Sequence, residues 1–126
     1  MKNENELSKI IVDCAFKVHK NLGPGLLENT YEVCLYHELS KRGLKVEKQK
    51  GLPLLYDEIK LEVGYRLDIL VEEKVIIEVK SIAAFDDIHF AQILTYLKLT
   101  QCKLGLLINF NVPLIKNGIK RVVNKL

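Results

Sequence analysis

Asp68, Glu78 and Lys80 stand out because each interrupts an apolar strand pattern. Asp68 lies in Tyr65-Arg66-Leu67-Asp68-Ile69-Leu70-Val71, and the other two lie in Val75-Ile76-Ile77-Glu78-Val79-Lys80-Ser81. Side chains alternate along a strand, so Leu67, Ile69 and Val71 are expected on one face, with Arg66 and Asp68 on the other. In the next strand Val75, Ile77 and Val79 share a face, and Glu78 and Lys80 share the opposite one. With Glu72-Glu73-Lys74 as the connecting turn, Asp68 falls across from Glu78. Like charges facing each other across a ladder repel, so the pair makes sense around a divalent cation. Hard oxygen ligands with water completing the shell suit Mg²⁺ or Mn²⁺. Lys80 points the same way as Glu78, where its ammonium can stabilise a developing anion. A solvated strand face with E-x-K alternation is the plain alternative. Ile76-Ile77 beside Glu78 argues instead for central strands.

These strands need elements to hold them. Leu7, Ile10, Ile11, Cys14, Ala15 and Val18 recur at helical spacing, which predicts an amphipathic helix near residues 5–20. Asn21-Leu22-Gly23-Pro24-Gly25 ends it, because the proline and glycines cannot continue a helix. A second helix is expected from Leu26 to Arg42, with Gly43 as its stop. Leu44–Leu55 reads as a weakly alternating strand, with Pro53 and Asp57-Glu58 marking turns. Lys60–Val71 and Lys74–Ser81 are the clearest strands. A third helix is expected over Asp86–Leu99, with Asp86 and Asp87 favoured by the dipole at its start. Lys103–Phe110 reads as a buried strand and Gly118–Val123 as a last one. The expected order is α-α-β-β-β-α-β-β, an α/β or α+β domain with a mixed sheet.

The chain has 126 residues, 48% of them apolar and 28% charged, which suits one globular domain and excludes wholesale disorder. No apolar run approaches the ~20 residues of a membrane span, and the polar MKNENELSK start is unlike a signal peptide. A cytoplasmic protein is expected. Cys14, Cys34 and Cys102 form no C-x-x-C pair, so they are read as reduced packing residues rather than zinc ligands or a redox pair. The net charge of +3 is unevenly spread: all 16 acids lie at or before Asp87. Beyond it stand only Lys98, Lys103, Lys116, Lys120, Arg121 and Lys125. That asymmetry favours an anionic partner, against the plainer reading of lysines that merely solvate helix and strand faces.

Asp68, nine intervening residues, then Glu78-Val79-Lys80 resembles the D-x(n)-E-x-K core of the PD-(D/E)XK nuclease superfamily, with Leu67 where a proline often precedes the aspartate. Gly25-Leu26-Leu27-Glu28-Asn29-Thr30-Tyr31 reads as G-x-x-E-x-x-Y. It is preceded by Val18-His19 and Leu22-Gly23-Pro24-Gly25. After the core come Gln92-Ile93-Leu94-Thr95-Tyr96-Leu97, Leu104–Phe110 and Gly118-Ile119-Lys120-Arg121. In this order the blocks are similar to the GxxExxY family, a branch of that superfamily, over residues 10–123.

The resemblance implies a single domain spanning residues 1–126, with a restriction-endonuclease-like core: a mixed central sheet flanked by helices. It implies Asp68 and Glu78 as ligands of a Mg²⁺ or Mn²⁺ ion, joined by the Val79 backbone carbonyl. Lys80 would be the charge stabiliser and Glu28 a third carboxylate reaching the ion directly or through water. Gln92 and Tyr96, one helical turn apart, resemble the superfamily's Q-x-x-x-Y pattern. Gln92 would hold Lys80, a water or a phosphate, and Tyr96 would hydrogen-bond at the site's edge. His19, His37 and His89 are read as boundary residues. Gly23-Pro24-Gly25 is read as a tight turn that aims Glu28 inward. The implied activity is Mg²⁺-dependent hydrolysis of phosphodiester bonds in DNA, with Lys98, Lys103, Lys116, Lys120 and Arg121 contacting phosphates. Two rivals stand beside it: a catalytically silent nucleic-acid-binding or assembly module of the same fold, and a dimeric, structure-selective endonuclease of the junction-resolvase kind.

Overall fold

The computed structural model describes the backbone of all 126 residues and the side chains of all but residues 62 and 63. Helix α1 (Glu4–Leu22) starts at Asn3, whose side chain accepts from Glu6 N at 2.9 Å while the Glu6 carboxylate accepts from Asn3 N at 3.1 Å. This reciprocal cap satisfies two of the helix's orphan donors. Leu7, Ile11, Cys14, Ala15 and Val18 are its buried stripe. Gly23, at φ 69°, turns the chain. Helix α2 (Glu28–Lys41) begins two residues later than the pattern suggests. The Leu26 N–H is drawn instead to the Tyr31 hydroxyl at 3.0 Å.

The strands are β1 (Val46–Tyr56), β2 (Ile59–Val71), β3 (Val75–Lys80), β4 (Leu104–Asn109) and β5 (Ile119–Val123). Helix α3 (Asp87–Thr100) connects β3 to β4, and a 3₁₀ turn (Ile115–Gly118) leads into β5. The spatial order is β1-β2-β3-β4-β5, antiparallel except for the β3–β4 pair. Parallel neighbours need a long crossover, and α3 supplies it. The predicted order is therefore observed.

The sheet has helices on both faces. Leu7, Ile11, Tyr31, Leu35 and Leu39 of α1 and α2 pack with Ile69, Val71, Ile77, Val79, Leu106 and Ile108. On the other face Ile93, Tyr96 and Leu97 of α3 pack with Leu67, Leu70, Ile76 and Leu107. Covered on both sides, β4 is buried throughout and β3 is buried as far as Val79, as parallel central strands require. Gly105 lets α3 come this close, since a Cβ there would stand 2.7 Å from Ile93 Cδ1.

Two expectations are corrected. Pro53 marks no turn; it lies inside β1, where the register with β2 shifts between Leu52 and Leu54. β1 is an edge strand, and an irregularity on an edge tolerates a residue that cannot donate to the ladder. Leu67 does not share a cluster with Ile69 and Val71 but packs on the α3 side. The β2–β3 pairing ends at Ile69, and beyond it β2 continues with β1 alone, free of the pleat that β3 imposes.

Candidate active site

The β2–β3 ladder pairs Val71 with Val75, Leu70 with Ile76 and Ile69 with Ile77, then stops. The next facing residues are Asp68 and Glu78, and here side chains replace the backbone ladder. Asp68 N donates to Glu78 Oε2 at 2.9 Å, and Val79 N donates to Asp68 Oδ2 at 2.8 Å. Each carboxylate thus satisfies an N–H of the opposite strand. The expected juxtaposition of Asp68 and Glu78 is present, and it opens the sheet between two central strands.

Burial makes this pair electrostatically costly. Glu78 is only 4% exposed. Loss of water, then the Asp68 carboxylate, pushes its pKa up to about 8, against the Asp68 N–H and the Lys80 ammonium. Asp68 is likewise raised, by burial first, while the Val79 N–H and Lys80 pull it down. Lys80 is the cation near both acids and cannot balance them alone.

Two further carboxylates border the pair from α2. Glu28 accepts from Ser81 N at 3.2 Å, and Ser81 Oγ donates to Leu26 O at 2.6 Å, so the start of α2 is docked on the end of β3. Tyr31 braces the same turn. Its hydroxyl donates to Gly23 O at 2.6 Å, and its ring stacks on Phe110 at 4.5 Å. The tyrosine of G-x-x-E-x-x-Y is therefore a brace for the loop that seats Glu28. Glu32, one turn beyond Glu28, is buried, and its pKa is raised by desolvation. Its Oε1 accepts from Gln49 Nε2 at 2.8 Å.

On the α3 side, Tyr96 is buried, and desolvation followed by Glu78 and Asp68 pushes its pKa up to about 12. Its ring lies 5.7 Å from that of Tyr65. Gln92 and Tyr96 line an open pocket of about 290 Å³ with Tyr65, His89 and Thr95, and no hydrogen bond joins Gln92 to Lys80 among the described residues. His89 Nδ1 accepts from Asp86 N at 2.9 Å, and His19 Nε2 lies 2.7 Å from Val112 O. Both histidines are engaged with neighbouring backbone.

The lysines divide. Lys120 lines a pocket with Asn109, the β4 partner of Lys80, and so belongs to the acidic end of the sheet. Lys98, Lys103 and Lys125 surround a cavity of about 580 Å³ with Gln101 and Asn124 at the opposite end of β4. Arg121 is turned to Asn5 on α1. The basic third is thus not one surface.

The donor set suits a hard divalent ion: two carboxylates, oxygen-only, already sharing one buried opening and short of positive charge. Among the described residues no three His, Cys, Asp or Glu side chains converge on one point, so an ion here would take Asp68 and Glu78 and complete its shell from backbone and water. Glu28 stands beside this pair, held by Ser81, rather than making a third convergent carboxylate.

Sequence reasoning missed Glu32, Gln49 and Asn109. Glu32 had a signal, its i+4 spacing from Glu28 on one helix face. Gln49 had none. Asn109 is 2% exposed and holds the chain after β3, accepting from Ile82 N at 3.1 Å and donating to Ile82 O at 2.9 Å. An asparagine ending an apolar strand was the available clue.

Sheet and site together define an α/β domain of restriction-endonuclease-like fold, with its acids at the open end of two central strands. The family model of the PD-(D/E)XK nuclease superfamily matches residues 5–122, and the chain belongs to that superfamily. Its nucleases generally use divalent metal ions. Comparison with curated proteins finds no match, and comparison with solved structures finds none either. Among the described residues no helix is long and apolar enough to cross a membrane.

Proposed function

We propose that this chain is a Mg²⁺- or Mn²⁺-dependent nuclease of the GxxExxY branch that hydrolyses phosphodiester bonds in DNA. The observation that carries the reading is the Asp68–Glu78 pair: a buried Glu78 and a half-buried Asp68, facing each other where the β2–β3 ladder ends, beside Lys80. A divalent ion bound there supplies Lewis-acid charge for attack of water on phosphorus. Asp68 and Glu78 hold the ion. Val79 turns its N–H towards Asp68, and in an extended strand the C=O of a residue faces the same side as its N–H, which supports a role for the Val79 carbonyl as a further ligand. Lys80 stabilises negative charge gathering on the phosphoryl oxygens. The Tyr96 hydroxyl, kept protonated by its surroundings, offers a donor at the rim, and Gln92 lines the approach. Glu28 orders water at the α2 side.

Duplex contacts begin at Lys80 and Lys120 and extend to Lys98, Lys103 and Lys125, the length of β4 away, roughly 20 Å for six residues. Each phosphate-contacting lysine removed is expected to lower the salt slope of DNA binding by about one. A reducing cytoplasm suits the three free cysteines.

The deciding experiment incubates the protein and Asp68→Ala with supercoiled, single-stranded and branched DNA in Mg²⁺ or Mn²⁺. Cleavage by the wild type that is lost in the variant is expected. Equal cleavage by both, or none by either, overturns the reading and leaves a binding module of nuclease fold.

A further inference from the structure

Gln49 adopts φ 53° inside strand β1. The other non-glycine residues with positive φ, which are Asp57, Glu72, Glu73, Gln101 and Lys125, lie in turns, at a helix cap or next to the C-terminus. The left-handed region is unfavourable for a residue with a Cβ and is ordinarily filled by glycine. A glutamine kept there, in mid-strand, points to a use for its side chain.

That side chain lies between two acids. Its Nε2 donates to Glu32 Oε1 at 2.8 Å, and the β1–β2 register sets Gln49 across from Asp68, between the Lys48–Ile69 and Lys50–Leu67 pairs, where its amide favours the Asp68 carboxylate. Glu32 is 6% exposed, rooted in α2 beside the fully buried Tyr31. It is a fixed acceptor, set by a helix whose start is tied to β3 through Ser81. Gln49 thus stands between Glu32 of α2 and Asp68 of β2. The backbone ladder with β3 has ended at this point, and β3 holds the Asp68 carboxylate through the Val79 N–H on Oδ2, which leaves its second oxygen to be oriented from the β1 side.

We propose that Glu32 and Gln49 are a positioning pair: Glu32 anchors the Gln49 amide, and the amide fixes the Asp68 carboxylate in the orientation that binds the divalent ion. This inference rests on the nuclease reading for the identity of the ligand, but concerns residues outside the D…E-x-K set. Hydrogen-bonded partners of metal ligands typically change ion affinity about 10–100-fold when removed, and the same scale is expected here.

The test measures Mn²⁺ affinity, by the paramagnetic resonance signal of free Mn²⁺, for wild type, Gln49→Gly, Glu32→Gln and Asp68→Ala, together with denaturant stability of each without metal. Glycine suits φ 53°, so Gln49→Gly is expected to be as stable as wild type or more so, yet to bind Mn²⁺ about 10–100-fold more weakly. Glu32→Gln keeps an oxygen facing the Gln49 amide and is expected to bind close to wild type. A merely structural role for Gln49 predicts lost stability with affinity unchanged. Wild-type affinity in Gln49→Gly overturns the proposal while leaving the nuclease reading intact, provided Asp68→Ala has lost the ion. If wild type and Asp68→Ala bind Mn²⁺ equally, the ion site itself falls, and this pair's role with it.

Discussion

Glu72 and Glu73 sit at the closed end of the β2–β3 hairpin, and Asp68 and Glu78 at its open end. At the closed end the turn is secured by Lys74 N donating to Val71 O at 2.9 Å, and Glu72 receives the Lys45 N–H. The Glu73 carboxylate meets Lys45 Nζ at 3.0 Å, with both side chains more than half exposed. These acids have water and a cation. The acids at the open end have neither in sufficient measure: Glu78 is buried and Asp68 half-buried, they face each other, and they lean on backbone N–H groups and Lys80. Three residues of strand separate an acid that solvent explains from one that must keep a proton or meet a further positive charge. Facing acids withdrawn from water cost stability, a cost that the proposed ion site would exchange for function.

The sharpest way to break this contrast is Glu78→Gln. Cleavage and ion binding are expected to fall to background, because a neutral amide no longer completes an anionic pair. Stability in the absence of metal is expected to move the other way. Glu78 has a folded pKa of about 8, above its ordinary value near 4.5, so the folded chain holds a proton that the unfolded chain has released between those values. Stability of the ion-free wild type is therefore full below about pH 4.5 as far as this group is concerned, and declines as pH rises through about 8. The raised pKa of Asp68 acts in the same direction. The decline is on the order of a few kcal/mol. Glu78→Gln should flatten it, matching wild type near pH 5 and exceeding it at pH 9. Denaturant unfolding in chelator across this range checks the prediction. A wild-type stability that climbs between pH 5 and 9 would mean that the open end is as well solvated as the closed one. Added Mn²⁺ should restore stability at high pH to wild type and not to the variant.

Between these extremes lies the α2 wall of the site. Tyr31→Phe keeps the ring stacked on Phe110 and deletes the hydroxyl that donates to Gly23 O and accepts from Leu26 N. Two hydrogen bonds in a part-buried setting suggest a loss of about 1–3 kcal/mol in unfolding free energy. The loop before Glu28 should loosen, and hydrogen exchange at Leu26 should quicken. An unchanged exchange rate there would show that the glycines and Pro24 hold the turn without help.

Much of this was readable beforehand, for physical reasons. Periods of 3.6 and 2 expose α1, β3 and β4 directly, because each buries a continuous apolar face. The Asp68–Glu78 juxtaposition followed from counting outward from a three-residue turn, and the turn has that length. Pro53 misled because a proline signals a break unless the strand is an edge, and edges are set by tertiary order. The Leu67 packing was hidden because it depends on where β3 ends rather than on β2. Gln49 was invisible for a deeper reason: a left-handed residue in a strand leaves no trace in composition or period. The division of the basic third into two ends was equally hidden, since β4 runs between lysines that the sequence shows as one acid-free stretch.

The smallest expected effect returns to the closed end. Glu73→Ala removes the partner of Lys45 at a point where both side chains reach solvent. Exposed ion pairs gain little over hydrated charges, and the turn keeps its backbone bond from Lys74 to Val71. The midpoint of unfolding should stay within measurement error of wild type, and so should cleavage. The pKa of Lys45, raised chiefly by its hydrogen bond to Glu73, should fall back in the variant, which ¹⁵N-detected titration of the ammonium can follow. If this substitution instead lowered ion affinity or cleavage, the two ends of the hairpin would be coupled through the strands. The splay at Asp68 would then depend on the turn rather than on the carboxylates that replace the ladder.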